Sequence, residues 1–177
     1  MVDLKNLFQD LNKIKDSRLE ILTLQIYMEH FINKIITLNA GKIPKDVIKE
    51  NLTIPVKTKI LQDWNLINDD HKKVIDALAK TRNDLIHNIE VNTKKIDNRL
   101  KSVNFDFVRD KDKKRMKIFS RLKPYRRLTS ASIVIIGVLY HLAIKMERKE
   151  SFQNLKFEIE KINDSWEPRI SLIENKK

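Results

Sequence analysis

HKKVIDALAKTRNDLIHNIE, residues 71–90, carries the spacing of an amphipathic helix. On a wheel at about 100° per residue with Val74 at the origin, Leu85, Leu78, Ile89, Ile75 and Ile86 fall between about 20° and 120°. Arg82 falls inside that apolar arc, at about 80°, with Asn83 at its edge and His87 one turn beyond Asn83. Asn68 or Asp69 supplies an N-cap, so the spacing predicts a helix over 69–89.

Working outward, helical periodicity dominates. Leu4, Leu7, Phe8, Leu11 and Ile14 predict an N-terminal helix. Ser17 and Glu20 have the spacing of a capping box, and the apolar positions from Leu22 through Ile26, Phe31 and Ile35 to Leu38 predict a long helix over 18–40, with Gly41 as its stop. Pro44 opens a short helix over 44–51, and Thr53 with Pro55 opens another ending near Trp64. Asn92 or Thr93 caps a segment reaching Val103, after which Val103, Phe105 and Phe107 alternate as in a brief extended stretch. The run ASIVIIGVLYHLAI (131–144) predicts a core helix over 126–149. It falls short of the roughly 20 apolar residues that a membrane crossing requires. From Ser151 the pattern fits a strand or a helix, and Trp166 with Pro168 is expected to end it. The expected organisation is one all-α domain over 1–150, with a basic insert at about 104–125 before the last core helix, and a tail over 151–177 packing on it.

Composition narrows the chemistry. The 177 residues include two glycines, four prolines and no cysteine. So few turn formers argue against a β-sandwich or a Gly-rich phosphate loop, and thiolate metal sites, disulfides and cysteine nucleophiles are excluded. The N-terminus has no apolar leader pattern, which makes the cytoplasm the expected compartment. The net charge is +12, and residues 109–127 (RDKDKKRMKIFSRLKPYRR) hold ten basic residues against two acidic ones, two thirds of the excess. A charge so concentrated points to a polyanionic partner, or else to a solvated loop.

The motif helix carries the candidate chemistry. A guanidinium within an apolar stripe is costly unless a carboxylate, a subunit interface or an anionic ligand answers it. Asn83 and His87 are four residues apart, so their side chains meet, and Arg82 reaches toward the same edge. Guanidinium, amide and imidazole together suit a phosphodiester. A histidine in the last turn also feels the helix macrodipole, which favours its protonated form and suits general acid–base work. The competing reading makes Arg82 half of a structural ion pair and His87 a plain C-terminal cap.

Arg82-Asn83-Asp84-Leu85-Ile86-His87 resembles the R-N-x-x-x-H form of the motif that marks HEPN domains. The stretch VKTKILQDWNLINDDHKKVIDALAKTRNDLIHN is similar to the corresponding part of mannitol-repressor-like HEPN relatives. The resemblance spans roughly residues 18–150 and implies a HEPN-like antiparallel helical bundle. It further implies a metal-independent endoribonuclease of a toxin or antiviral defence type, needing no cofactor and acting as a homodimer through the motif helix, with an antitoxin or other protein as a possible partner. In that family's chemistry His87 acts on the 2′-hydroxyl or the leaving 5′-oxygen, Arg82 binds the scissile phosphate, and Asn83 orients phosphate or imidazole. HEPN toxins silenced by nucleotidyl transfer carry a tyrosine soon after the histidine; here Asn88 and Ile89 follow. The alternative is a non-catalytic HEPN-like regulator that binds nucleic acid or protein.

Lys80, Lys113, Lys114, Arg115, Arg121, Arg126 and Arg127 are the candidate contacts to an RNA backbone, with Thr81 beside Lys80 as a further phosphate contact. Residues 109–127 as a DNA-binding element is a third reading, without a recognisable helix-turn-helix pair. No metal-ligand spacing is evident around His71 and its neighbouring acids. His71 and His30 read as surface residues, Tyr140 and His141 as core or interface residues, and Trp64 and Trp166 as packing anchors.

Overall fold

The computed structural model describes residues 4–39, 52–87, 92–108, 119 and 121–174, excluding the side chains of His87, Val108 and all residues from Glu150 onward. Every regular element among them is helical: α1 (Leu4–Lys13), α2 (Ser17–Asn39), α3 (Ile54–Asp63), α4 (Asp69–His87), α5 (Thr93–Leu100), a 3-10 turn (Phe105–Val108) and α6 (Pro124–Glu174). The all-α expectation therefore holds. The expected helix over 44–51 and most of the basic segment lie outside the described residues. The chain divides into two compact units, Met1–Ala143 and Ile144–Lys177.

Within the first unit α2 is the hub. Ile21, Leu24, Met28, Phe31, Ile32 and Ile35 are all fully buried, and on the helix wheel they fall within one arc of about 100°. The helices α1, α3 and α4 pack on α2, whereas Leu19 and Ile26, away from that arc, are 53% and 67% exposed. Tyr27 ties it to α1 by donating its hydroxyl to Asp10 Oδ2 at 2.8 Å. Phe31 meets Tyr140 of α6 edge-on, with ring centroids 5.4 Å apart. Tyr140 is half-buried against α2, whereas His141 is exposed. The Pro124–Lys149 stretch of α6 is long and apolar enough to cross a membrane. In this fold Leu128, Ala131, Ile135, Ile136, Leu139 and Ala143 along it are buried.

Several local expectations are corrected. Asp16, not Ser17, caps α2: its Oδ1 accepts from the backbone N–H of Arg18 at 2.7 Å. The Arg18 guanidinium on that carboxylate, with the backbone bond, holds Asp16 down at about 2. Glu20 consequently forms no capping box and accepts instead from the Tyr125 hydroxyl. The 103–107 alternation makes no strand. Asn104 Oδ1 accepts from the backbone N–H of Asp106 at 3.0 Å, closing a tight turn in which Phe105 packs on Phe119. Trp166 and Pro168 do not end the last helix, which continues to Glu174. The residues before them, KMERKESFQNLKFEIEK, contain no glycine or proline and are rich in helix formers.

The turn that launches α4 is well specified. Asn65 takes a left-handed conformation (φ 55°), and Leu66 N–H returns to Leu61 O at 2.9 Å, the hydrogen-bond pattern of a Schellman stop. Two residues later Asn68 Oδ1 accepts from His71 N–H at 2.9 Å and caps α4, whose first turn carries Asp69 and Asp70 against the positive end of the helix dipole.

His71 is not the solvated residue its position suggests. Its ring stands edge-on to Phe107 at 4.8 Å, and both ring nitrogens are buried without a hydrogen-bond partner. Burial pulls its pKa below the ordinary 6.5, with the Asp70 charge opposing in part. The unfolded chain therefore binds this proton more readily, so stability falls as pH drops below about 6.5 toward the depressed folded value. His71→Phe is expected to remove that contribution, which urea midpoints measured between pH 7.5 and 5 will show as a flatter acid limb than wild type.

Candidate functional site

The rotation of α4 about its own axis decides what the motif residues face. Val74, Ile75, Ala77, Leu78 and Thr81 are buried, whereas Ile86 is 56% exposed. The buried arc is therefore displaced toward Ala77 and Thr81, and Arg82 sits at its margin, not at its centre. Thr81 explains the displacement. Its hydroxyl donates to Ala77 O at 2.7 Å and accepts from Arg99 Nη1 at 3.0 Å. Arg99, on α5, donates its other terminal nitrogen to Asp84 Oδ2 at 2.9 Å, and Lys95 lies 3.7 Å from the same oxygen. One guanidinium thus grips α4 at two positions three residues apart. Thr81, expected to flank a phosphate, is occupied inside the core.

With α5 on one side, Arg82 and Asn83 are left on the other. Among the described residues Arg82 has a single hydrogen-bond partner, Asn83 Oδ1 at 3.2 Å, and no carboxylate engages it. The structural ion pair that would have accounted for Arg82 is not formed. Asp84, the nearest acid in sequence, is held by Arg99 instead. His87 is the last described residue of α4, four positions beyond Asn83, and its side chain lies outside the described residues.

Arg82 and Asn83 line a groove of about 530 Å³ between α2, the start of α3 and α4. Its apolar walls are Leu22 and Ile26 of α2 with Ile54 and Pro55 of α3; its polar lining includes Gln25, Glu29, Asp76 and Lys80. The spacing on each helix accounts for this assembly. Leu22, Gln25, Ile26 and Glu29 form an i, i+3, i+4, i+7 stripe on α2, and Asp76, Ala79, Lys80 and Asn83 form the same stripe on α4.

The polar side chains of the groove are unusually provided for. Lys57 of α3 is fully buried, and its ammonium donates to Glu29 Oε1 at 3.1 Å. Gln25 is 7% exposed, yet its Oε1 is buried with no partner, and Asp76 Oδ1 is likewise unpartnered although Lys72 pairs with the other oxygen of that carboxylate. An unmatched buried acceptor costs about 1–3 kcal/mol, and these two oxygens are closed off from the open space of the groove.

The other expected RNA contacts are dispersed. Lys113, Lys114 and Arg115 lie outside the described residues. Arg121 is exposed. Arg126 lies over the Tyr125 ring and 3.7 Å from Glu20, and Arg127 pairs with Asp97. Arg126 is 63% exposed, and neither of these last two lines the groove at Arg82. Gln25, Glu29, Lys57, Asp76 and Arg99 are not singled out by the sequence pattern. Gln25 and Glu29 carry a signal, being polar positions four apart in an otherwise apolar helix; Lys57 carries none, since V-K-T-K reads as surface.

No protein-family model matches this sequence, and no curated protein or solved structure matches it either.

Two substitutions separate the roles of the two arginines. Arg99→Met keeps the stem and loses the bonds to Thr81 and Asp84, with an expected cost of about 2 kcal/mol in urea denaturation. Arg82→Met is expected to change stability by less than about 0.5 kcal/mol, because its head holds no carboxylate.

Proposed function

We propose that this chain is a HEPN-like, metal-independent endoribonuclease that cleaves RNA by attack of the substrate's own 2′-hydroxyl. The observation that carries the reading is Arg82: a guanidinium at the lip of a groove, beside Asn83, with no carboxylate partner among the described residues. An arginine with no carboxylate partner among the described residues is suited to a scissile phosphate and to the charge that builds on it. His87 lies one helical turn beyond Asn83, on the same edge of α4.

In the proposed reaction the 2′-oxygen bonds to phosphorus as the bond from phosphorus to the 5′-oxygen breaks. The 2′-hydroxyl proton leaves and the departing 5′-oxygen takes one up, with an imidazole serving one or both transfers. The products are a 2′,3′-cyclic phosphate and a 5′-hydroxyl, and DNA is spared because it lacks the nucleophile. The reading supposes the HEPN arrangement, in which two motif helices face one another across a homodimer. Exposed Ile86, one residue before His87, suits such a contact. A cytoplasmic toxin or antiviral role, restrained by a partner protein, is the setting the reading implies. The basic segment 109–127 guides the RNA backbone in this scheme.

Two measurements test it. Labelled single-stranded RNA incubated with the protein in EDTA is expected to be cut to cyclic-phosphate ends, with Arg82→Ala and His87→Ala each lowering the rate at least about a hundredfold. Binding without cleavage, unchanged by His87→Ala, would assign the protein instead to the regulatory class. Separately, replacing Lys113, Lys114 and Arg115 with glutamine is expected to reduce the slope of log affinity against log salt by about 2 for single-stranded RNA, at roughly 0.7 for each phosphate no longer neutralised.

A further inference from the structure

We infer that the groove between α2, α3 and α4 docks an acidic amphipathic helix of another protein, with its apolar side along Leu19, Leu22 and Ile26 and a carboxylate on Arg82. The docking does not depend on the ribonuclease reading above; that the bound helix blocks cleavage rests on it.

The outer strip of α2 is aliphatic. Leu19, Leu22 and Ile26 fall within about 60° of one another on the wheel, roughly opposite the buried arc. Ile26 is the most exposed large apolar side chain among the described residues, and Leu19 is more than half exposed. Placed singly, such residues are common on a surface. Aligned at i, i+3 and i+7 they make a track, which Ile54 and Pro55 of α3 widen at the groove.

Four charged side chains line the groove, Glu29, Asp76, Lys80 and Arg82. The acids are answered within the fold, Glu29 by Lys57 and Asp76 by Lys72. The cations are not: neither Lys80 nor Arg82 has a carboxylate partner among the described residues. Two uncompensated positive charges therefore stand beside the aliphatic track.

A helix with one apolar and one acidic side satisfies both features at once. Its residues at i, i+4 and i+7 span about 10 Å, the length that separates Leu22 from Glu29 and Asp76 from Asn83 on the two walls. RNA answers the cations alone, since no aromatic ring lines the groove for a base to stack on. A second copy of this chain brings a net charge of +12 to a face that is already cationic, so the complement is a different, acidic protein.

The test titrates the full chain with three synthetic helical peptides of about five turns each, read by fluorescence anisotropy. The first carries leucines at i, i+4, i+7 and i+11 flanked by glutamates. The second replaces those glutamates with lysine, and the third replaces the leucines with serine. The first is expected to bind at least about tenfold more tightly than either control, and several-fold less tightly at high salt. Leu19→Ser and Ile26→Ser, both at exposed positions, are each expected to weaken it at least about fivefold, and Arg82→Gln by a similar factor. At saturation the peptide is expected to stop RNA cleavage, whereas Leu19→Ser, outside the groove lining, leaves cleavage without peptide unchanged. Equal binding of the lysine peptide overturns the inference, and so does equal binding of the serine peptide, which would assign the groove to a polyanion such as RNA. No binding by the first peptide, binding that neither serine variant changes, or cleavage that continues at saturating peptide overturns it as well. A dimer in solution that Ile26→Ser dissociates does the same, giving the face to a second copy. RNA cleavage without peptide binding leaves the ribonuclease reading standing. Peptide binding that depends on Ile26 and Arg82, in a protein that cuts no RNA, removes that reading and keeps the docking face.

Discussion

The grip of Arg99 on Thr81 and Asp84 sets the rotation of the motif helix, and the candidate site follows from that rotation. A threonine hydroxyl in a core is tolerable only if matched, and here it is matched twice, by Ala77 O and by the guanidinium. Turning α4 to expose Thr81 would bury Arg82 among apolar neighbours; turning it the other way would strand Arg99. The observed setting places the guanidinium of Arg99 between two acceptors and leaves that of Arg82 at the rim of a groove. Two arginines on adjacent helices are thereby given opposite settings, one held by a carboxylate and one with no carboxylate partner among the described residues.

The same logic organises α2. Its fully buried arc, from Phe31 through Met28 to Ile32, sets it against the core of the first unit, where polar side chains have little room. Gln25 and Glu29 are placed where the packing of α3 against α4 is incomplete. Lys57 comes from α3 to meet Glu29, while the Gln25 side-chain oxygen meets nothing among the described residues. A buried amide oxygen without a partner is a cost that the packing of α2 leaves uncompensated among the described residues.

The helices are legible in the sequence because their signals are local and redundant. Asn68 and Asn92 each cap the helix expected of them, Pro55 lies in the first turn of α3 and Pro124 opens α6. Where local signals compete, the outcome lies with tertiary contacts. Ser17 and Asp16 are both good caps, and the pull of Tyr125 on Glu20 removes the second half of the capping box. The wheel puts Arg82 near the middle of the buried arc and carries that arc on to Ile86, because it weighs an isoleucine above a threonine. It has no means of knowing that Arg99, 18 residues on and in another helix, rewards the threonine. The surroundings of His71 are hidden for the same reason, since Phe107 reaches it from a segment whose alternation suggests a strand.

The pair formed by Lys57 and Glu29 has unequal halves: the lysine side chain is fully buried, whereas the carboxylate is 41% exposed. Water can solvate the acid if the base is lost, but nothing can reach the base if the acid is lost. Divergence at these two positions therefore has a preferred order, in which an apolar residue replaces the lysine before the glutamate is free to vary. Descendants of this chain would be found with the acid alone far more often than with the base alone.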